Sequence, residues 1–274
     1  MSHMNTTTYQ NQQKQTALIT GASSGIGYEL ACIFAEDGYN LVLVDKQKEK
    51  LTQIAQEFPQ KFGISVKIIA KDLSKPISRE EIFTELQQAS IKVDVLVNNA
   101  GFGTYGLFHQ TDINAELDMI QVNAACITHL TKLFVKDMVK QGYGRILNVA
   151  STAAFQPGPM MAVYFATKAY VLSFSEAIAN ELEGTGVTVT VLCPGPTASG
   201  FQQAAAMEKA KIASSGRMMD TRTVAEIGYR GLMAKKTVVI PGIRNKILAQ
   251  SIRFSPSRKL VAKIVRDMHE AKNK

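Results

Sequence analysis

The chain has 274 residues, 46% of them hydrophobic and 20% charged, which is typical of one large globular domain or two small ones. It contains no run of about 20 uninterrupted apolar residues, so no membrane-spanning helix is predicted. The net charge of +8 is concentrated in residues 243–274, which hold nine Lys or Arg against two Asp or Glu. The rest of the chain is close to neutral, which argues against nucleic-acid binding as its main function.

The first residues are polar and lack the apolar core of a secretory signal. Met1–His3 resemble an expression-tag remnant before Met4, and residues 1–14 are predicted to be a disordered lead-in. The three cysteines and four histidines are scattered along the chain without disulfide or metal-ligand spacing. This usage predicts a reducing, cytoplasmic location and no metal site.

From residue 16 onward, short apolar runs alternate with segments of helical periodicity. The predicted strands cover 16–20, 40–45, 65–73, 93–101, 144–151, 187–195 and 237–242. The predicted helices cover 28–38, 46–58, 79–89, 115–142 and 162–184. Near-continuous apolar strands that alternate with helices are typical of a parallel sheet covered on both faces. We therefore predict an α/β fold with a single doubly wound parallel sheet of the Rossmann type, which spans residues 15–242.

A basic segment, residues 243–274, follows this domain and is predicted to be an amphipathic helical C-terminal extension. Its apolar residues recur at helical spacing on both sides of Ser255–Pro256, and basic residues occupy the other face. We favour packing of both helices on the domain or on a neighbouring subunit. Binding to an anionic membrane surface is the alternative.

A glycine-rich turn, TGASSGIG at 20–27, connects the first strand to the first helix. Gly21, Gly25 and Gly27 would let the backbone turn sharply and approach a pyrophosphate, while the helix N-terminus supplies free N–H groups. Such turns can also serve packing alone. The position between the first strand and helix favours a dinucleotide site.

Asp45 closes the second predicted strand, where an acid can accept hydrogen bonds from ribose hydroxyls and repel a 2′-phosphate. Ser24 is neutral where a phosphate-binding site would favour a base. Lys46, however, could accommodate a phosphate. The sequence therefore favours NAD as cofactor and leaves NADP possible.

Tyr164 and Lys168 lie one helical turn apart, a spacing that is weak evidence alone. Together with the other motifs, it makes residues 15–242 resemble a classical short-chain dehydrogenase/reductase. The motifs that carry the resemblance occur in order: TGASSGIG (20–27), DL (72–73), NNAG (98–101), Asn123, Ser151, YFATK (164–168) and PGPT (194–197).

The resemblance implies four catalytic residues. Tyr164 would exchange a proton with the substrate oxygen, and Lys168 would lower its pKa and bind the nicotinamide ribose. Ser151 would bind the substrate oxygen. Asn123 would anchor a water in a proton relay, and its alternative role is to cap a kink in a helix.

The resemblance also implies which residues hold the dinucleotide. Asp72 would meet the adenine ring, and Asn98 would line the adenosine side. The predicted cofactor-binding residues are Gly21, Ser23, Ser24, Gly25, Ile26, Gly27, Asp45, Asp72, Leu73, Asn99, Ala100, Gly101, Tyr164, Lys168, Pro194, Gly195 and Thr197.

The sequence thus predicts an NAD(P)-dependent oxidoreductase that interconverts a secondary alcohol and a ketone. Residues 153–163 and 198–220 would frame a pocket for an apolar or acyl-chain substrate. Its predicted lining residues are Phe102, Phe155, Met160, Met161, Phe201 and Met207. The resemblance implies a homodimer or homotetramer formed through the helices at 115–142 and 162–184.

Two other functions stay open. One is a dinucleotide-binding regulatory or scaffold protein with little catalysis, against which the complete catalytic set argues. The other is a peripheral membrane-associated reductase that uses its basic extension.

Overall fold

A computed structural model of the chain describes residues 14–201, 218–251 and 257–270. Several sequence predictions fall outside these residues. They concern the lead-in before Lys14, Met207 with most of the segment predicted to cover the pocket, and the break at Ser255–Pro256.

Seven parallel strands form one sheet in the order β3-β2-β1-β4-β5-β6-β7. The strands are β1 Thr16–Thr20, β2 Asn40–Asp45, β3 Val66–Ala70, β4 Val95–Asn98, β5 Gly144–Val149, β6 Val187–Leu192 and β7 Val238–Val239. The chain moves outward from β1 to β3 and then returns to the other side of β1 with β4. The direction of winding therefore reverses between β1 and β4, where the carboxyl ends of the strands leave a crevice.

The described helices cover both faces of this sheet. They are α1 Gly25–Glu36, α2 Lys48–Phe62, α3 Pro76–Gln88, α4 Ile113–Ile120, α5 Ile127–Gln141, α6 Ala162–Glu181, α7 Thr221–Met233, α8 Ile243–Ser251 and α9 Arg258–His269. One core cluster joins α1, α2 and α7 to the sheet, and a second joins α3, α5 and α6 to its other face. The predicted doubly wound Rossmann-type fold is confirmed.

The long helix predicted at 115–142 is interrupted, because Gln121–Cys126 form a wider π-helical turn between α4 and α5. Long-range contacts hold this turn in place. Arg79 donates through Nη2 to the Gln121 carbonyl and side-chain oxygens at 3.1 and 2.9 Å. Asn123 hydrogen bonds to the backbone of Phe102. Sequence periodicity does not report such long-range contacts, and the prediction of one continuous helix is therefore wrong here.

Helix α7 was not predicted, although its start carries a recognisable signal. Asp220 precedes the helix and accepts a hydrogen bond from the Thr223 N–H at 2.8 Å, as an N-cap does. Val224, Ala225 and Leu232 are fully buried. The helix packs on α1 and contacts β5, β6 and β7.

The two helices after Gly242 pack on the domain with one side and face solvent with the other. In α9, Val261, Val265 and His269 form a buried stripe, whereas Leu260 and Ile264 are about half exposed. The buried stripe joins the cluster around Met161 and Phe165, described below. None of the described helices has the length and hydropathy needed to cross a bilayer.

Candidate active site

A cavity of about 730 Å³ opens at the carboxyl edge of the sheet, where the strand order reverses. It runs from Asp45 at the end of β2, past Gly21, to Tyr164 on α6 and His269 at the end of α9. All the predicted cofactor residues except Ser23 and Gly27 line it. The fold therefore gathers residues that are far apart in sequence into one continuous site.

The glycine-rich turn forms the middle of the cavity. Gly21 and Gly25 have φ values of +66° and +58°, a conformation that favours glycine. Ser24 makes no side-chain capping bond, and the first turn of α1 holds no acidic residue. The N–H groups at this helix N-terminus are thus available to an anion such as a pyrophosphate.

Gly27 lies beneath the turn and has a packing role. A Cβ at this position would collide with the Gly21 carbonyl and the Asn99 side chain. Asn99 donates to the carbonyl oxygens of Thr20 and Gly21 at 3.0 and 3.1 Å. This close approach keeps α1 directed at the cavity.

At one end of the cavity, Asp45 is held by backbone amides. Its carboxylate accepts hydrogen bonds from the N–H groups of Ser23 at 3.2 Å and Gln47 at 3.1 Å. Ser23 is buried and acts through this contact without lining the cavity. Lys46, Lys50 and Lys71 line the same cavity, so cationic side chains are present in it together with the carboxylate.

Asp72 lines the cavity at the same end as Asp45. It accepts a hydrogen bond from the Ser74 N–H at 3.0 Å, which together with the nearby Lys75 and Lys46 lowers the pKa of its carboxyl. The side chain is therefore ionised and fixed in position, as a carboxylate that reads an adenine amino group must be.

Asn98 does not line the cavity, so the expectation that it contacts adenosine is wrong. Its side chain is buried inside the sheet and donates to Asn148 at 2.9 Å and Thr131 at 3.1 Å. Adjacent residues of a strand point to opposite faces, and β4 ends at this point. Asn99 and Ala100, by contrast, face the cavity and donate their N–H groups to the Thr20 hydroxyl.

Tyr164, Lys168 and Ser151 meet at the other side of the glycine-rich turn. Tyr164 and Lys168 occupy successive turns of α6, with Lys168 Nζ 5.7 Å from the centre of the Tyr164 ring. Lys168 is buried and donates to the Val149 carbonyl at 2.8 Å. Ser151 follows β5; its hydroxyl accepts from the Ala153 N–H at 3.1 Å and is close enough to Tyr164 to lower the pKa of the phenol.

Burial dominates the ionisation of this group. It raises the pKa of Tyr164 to about 12, against which the hydrogen bond with Ser151 acts only partly. Burial also lowers the pKa of Lys168 to about 8, partly offset by the nearby Cys193 thiol. In the free chain, burial therefore outweighs the partial lowering of the Tyr164 pKa that is expected from Lys168. Tyr164 is protonated at neutral pH and able to donate a proton.

Asn123 lies behind the cavity wall, fully buried in the π-helical turn. Its side chain donates to the Phe102 carbonyl at 2.9 Å and to the Thr167 hydroxyl at 3.2 Å, and it accepts from the Phe102 N–H. A Cβ on Gly101 would lie 3.0 Å from Asn123 Oδ1 and 3.4 Å from Lys168 Nζ. Asn123 is thus placed to hold the loop beside Lys168, and its part in a water relay stays a prediction.

The loop after β6 completes the dinucleotide side of the cavity. Pro194, Gly195 and Thr197 line it, and the Thr197 hydroxyl donates to the Gly195 carbonyl at 2.9 Å. A Cβ on Gly195 would lie 2.5 Å from the Asn245 side chain of α8. The first C-terminal helix therefore supports this loop.

The substrate end of the cavity is mainly apolar. Of the predicted lining residues, Phe102, Met161 and Phe201 line it, whereas Phe155 and Met160 do not. Phe165 also lines it, as expected from a bulky side chain at a position where the family commonly has a small residue. Sequence reasoning missed Val265, Met268 and His269, which all belong to α9. The helical spacing of Val265 and Met268 indicated an apolar face but not what that face would cover.

Comparison with known proteins agrees with this arrangement. The sequence model described as short chain dehydrogenase matches residues 15–210. The chain belongs to the short-chain dehydrogenase family. The resemblance predicted from the motifs is confirmed, and with it the oxidoreductase class.

Individual family members match the chain over different lengths. Over 184 residues it is 34% identical to the 17-beta-hydroxysteroid dehydrogenase type 3 of Mus musculus, which covers 66% of this chain and 59% of that protein. Over 232 residues it is 30% identical to the very-long-chain 3-oxoacyl-CoA reductase of Anas platyrhynchos, and this match covers 82% of this chain and 72% of that protein. The match thus spans about six tenths of the mouse protein's length.

Among solved structures, the short-chain dehydrogenase from Sphingobium yanoikuyae in complex with NADPH superimposes with a TM-score of 0.80 at 27% identity. The alignment covers 95% of this chain and 98% of that one. The similarity extends beyond the family match into the C-terminal helices, because it reaches nearly the whole chain.

Proposed function

We propose that the protein interconverts a secondary alcohol and a ketone by hydride transfer with NAD or NADP. The observation that carries this proposal is the meeting of Tyr164, Ser151 and Lys168 in the same cavity as an uncapped helix N-terminus and the carboxylate of Asp45. A regulatory protein that only bound the dinucleotide would not need this group of three side chains.

Ser151, Tyr164 and Lys168 have separate roles in the proposed reaction. When bound, the dinucleotide supplies or accepts the hydride. In ketone reduction, the Ser151 hydroxyl donates a hydrogen bond to the carbonyl oxygen, and the protonated Tyr164 gives that oxygen its proton. Lys168 stabilises the phenolate that is left. In alcohol oxidation Tyr164 must first be deprotonated, so the charge of Lys168 matters more in that direction.

We further propose an apolar ketone as substrate, with a steroid-like or acyl-chain skeleton. Phe102, Met161, Phe165 and Phe201 surround the space next to Tyr164. The names of the two relatives, a hydroxysteroid dehydrogenase and a long-chain oxoacyl reductase, support this class.

Kinetic assays with sterol-like ketones, medium-chain ketones and 3-oxoacyl thioesters, compared with sugars, test the proposal. Tyr164→Phe should reduce kcat by at least about 100-fold and leave cofactor binding intact, because it removes the proton donor and keeps the ring. Turnover of sugars alone would refute the substrate class. Tight dinucleotide binding without turnover of any substrate would favour the regulatory alternative.

We propose NAD as the preferred cofactor, because two backbone amides fix the Asp45 carboxylate at the end of β2, where an acid can bind ribose hydroxyls. Titration with NADH and NADPH separately tests this. NADH should bind the native protein more tightly, and Asp45→Ser should reverse the order by relieving repulsion of the 2′-phosphate and leaving Lys46 and Lys50 to attract it. Tighter NADPH binding by the native protein would show that the lysines prevail over Asp45.

We propose a homo-oligomer formed through α4, α5 and α6. An apolar groove lies between α4, the π-helical turn and α6, lined by Ile120, Ala124, Ala162, Val163, Ala166, Thr167 and Tyr170. Tyr170 in this groove and Leu117 on α4 are 44% and 52% exposed, which makes the surface of these helices more apolar than usual. Light scattering should find at least a dimer, and Ala166→Arg should yield monomers.

We propose that the protein acts in the cytoplasm and that a membrane surface is a second candidate partner. The three free cysteines suit a reducing compartment. On α8, Ile247 and Leu248 are 61% and 48% exposed beside cationic side chains such as Lys246. Co-sedimentation with anionic liposomes tests this, since the double substitution of Ile247 and Leu248 by Ser should release the full-length protein if it binds at all.

A further inference from the structure

His269 is an unexplained polar residue in the apolar part of the cavity. It is the last residue of α9, is 3% exposed, and lines the substrate end of the site. Neither the family resemblance nor the proposed proton transfer uses it. A buried imidazole needs a polar partner for each ring nitrogen, so its two nitrogens are considered in turn.

The first nitrogen is fixed by the protein. Nδ1 lies 2.9 Å from the Pro159 carbonyl, which can only accept a hydrogen bond. Nδ1 must therefore carry the proton. Burial lowers the pKa of His269, which keeps the ring neutral despite this bond. In the neutral ring with Nδ1 protonated, Nε2 has a free lone pair and can only accept.

The second nitrogen has no hydrogen-bond partner among the described residues. Nε2 is not fully enclosed by protein, and the residue lines the cavity. A hydrogen-bond acceptor thus borders a mainly apolar space. Leaving it unpaired when a ligand fills that space would be unfavourable.

The surrounding contacts hold this acceptor in one position. Tyr105 donates its hydroxyl to the His269 carbonyl at 2.6 Å and so pins the end of α9. The His269 ring packs edge-on against Phe165 with centroids 5.4 Å apart, and Phe165 packs in the same way against Tyr164 at 6.0 Å. The acceptor therefore lies two ring contacts away from the proton donor of the reaction.

We propose that His269 Nε2 accepts a hydrogen bond from a hydroxyl group at the far end of the substrate, so that the enzyme selects apolar ketones that carry a distal hydroxyl. This inference rests on the proposed function. It narrows the substrate class from apolar ketones to hydroxylated ones. A hydrogen bond made equally in the ground and transition states lowers KM and leaves kcat almost unchanged.

A series of ω-hydroxyalkanones of increasing length, each paired with its deoxy analogue, tests the inference in steady-state assays. The native enzyme should prefer the hydroxylated ketone at a matching length by roughly tenfold or more in kcat/KM, mainly through KM. His269→Asn can keep the bond to Pro159 through its amide N–H but cannot reach the Nε2 position. It should lose the preference, so that the hydroxylated and deoxy ketones have similar kcat/KM values.

His269→Gln is the matched control, because its longer side chain can place an acceptor oxygen near the Nε2 position. It should regain part of the preference. Calorimetric binding of the same ketone pairs gives a readout that does not depend on turnover. Turnover without any hydroxyl preference, or a preference that survives in His269→Asn, would overturn the proposed role of His269. Neither result would affect the proposed function. Failure to reduce any ketone with either cofactor would overturn the proposed function, and the binding data would still decide on His269.

Discussion

Lys168 is expected to reduce the stability of the fold that it serves, so Lys168→Met should make the protein more stable at neutral pH and nearly inactive. The burial of the ammonium lowers its pKa to about 8. An unfolded lysine has a pKa of about 10.4, and the difference corresponds to roughly 3 kcal/mol of unfavourable free energy at pH 7. Methionine has a similar shape and no charge to desolvate.

The gain is smaller than this figure because one hydrogen bond is lost. Lys168 donates to the Val149 carbonyl at 2.8 Å, and removal of that bond costs about 1 kcal/mol. The net stabilisation is therefore about 2 kcal/mol, or a rise in Tm of roughly 4–8 °C for a chain of this size.

The pH dependence gives the sharper test. Between about pH 8 and 10.4, Lys168 is protonated in the unfolded chain and mostly neutral in the native protein. The unfolded chain therefore binds one more proton, and the stability of the native protein rises with pH through this window. Lys168→Met lacks this rise, and its advantage should disappear above about pH 10.5. Subtraction of the two unfolding curves cancels the contributions of all other titrating groups.

Urea unfolding at pH 7 and pH 10.5, followed by circular dichroism, measures both effects. Lys136→Met, which removes an exposed lysine of α5, is the control and should change stability little at either pH. The reasoning is refuted if Lys168→Met is less stable than the native protein at pH 7, or if its advantage is the same at both pH values.

Three further predictions concern the cavity wall, the proton donor and the π-helical turn. Gly103→Ala should raise KM for bulky ketones several-fold and spare small ones, because its Cβ would lie 2.8 Å from the Phe201 ring and 3.3 Å from that of Tyr164. Equal KM changes for ketones of all sizes would contradict this. Alcohol oxidation should accelerate from pH 6 to about pH 10, because it requires the base form of Tyr164 and burial raises the pKa of that residue. Ketone reduction should not accelerate over the same range. Parallel pH–rate profiles in both directions would show that another group titrates. Arg79→Met should destabilise the fold by about 2 kcal/mol in thermal melts, because the carbonyls of Leu73 and Gln121 lose the donor that buried Arg79 supplies. An unchanged Tm would mean that the turn holds without Arg79.

Much of the site could be predicted from sequence because its parts are local. The run TGASSGIG specifies a turn and a helix start within eight residues, and Tyr164 and Lys168 need only one helical turn to face the same way. The alternation of apolar runs with helical segments was sufficient to predict the parallel sheet. Each of these signals depends on neighbours in sequence, and the structure places them together as expected.

Tertiary structure alone decided the substrate end. Tyr105 and His269 are 164 residues apart, yet their hydrogen bond fixes the end of α9 over the cavity. The periodicity of α9 showed an apolar face but could not say that Val265 and His269 would line the site while Leu260 remained exposed. The same holds for Asn123, whose long-range partners widen the helix around it. Periodicity reports which residues share a face, and only the packing of distant segments determines what that face meets.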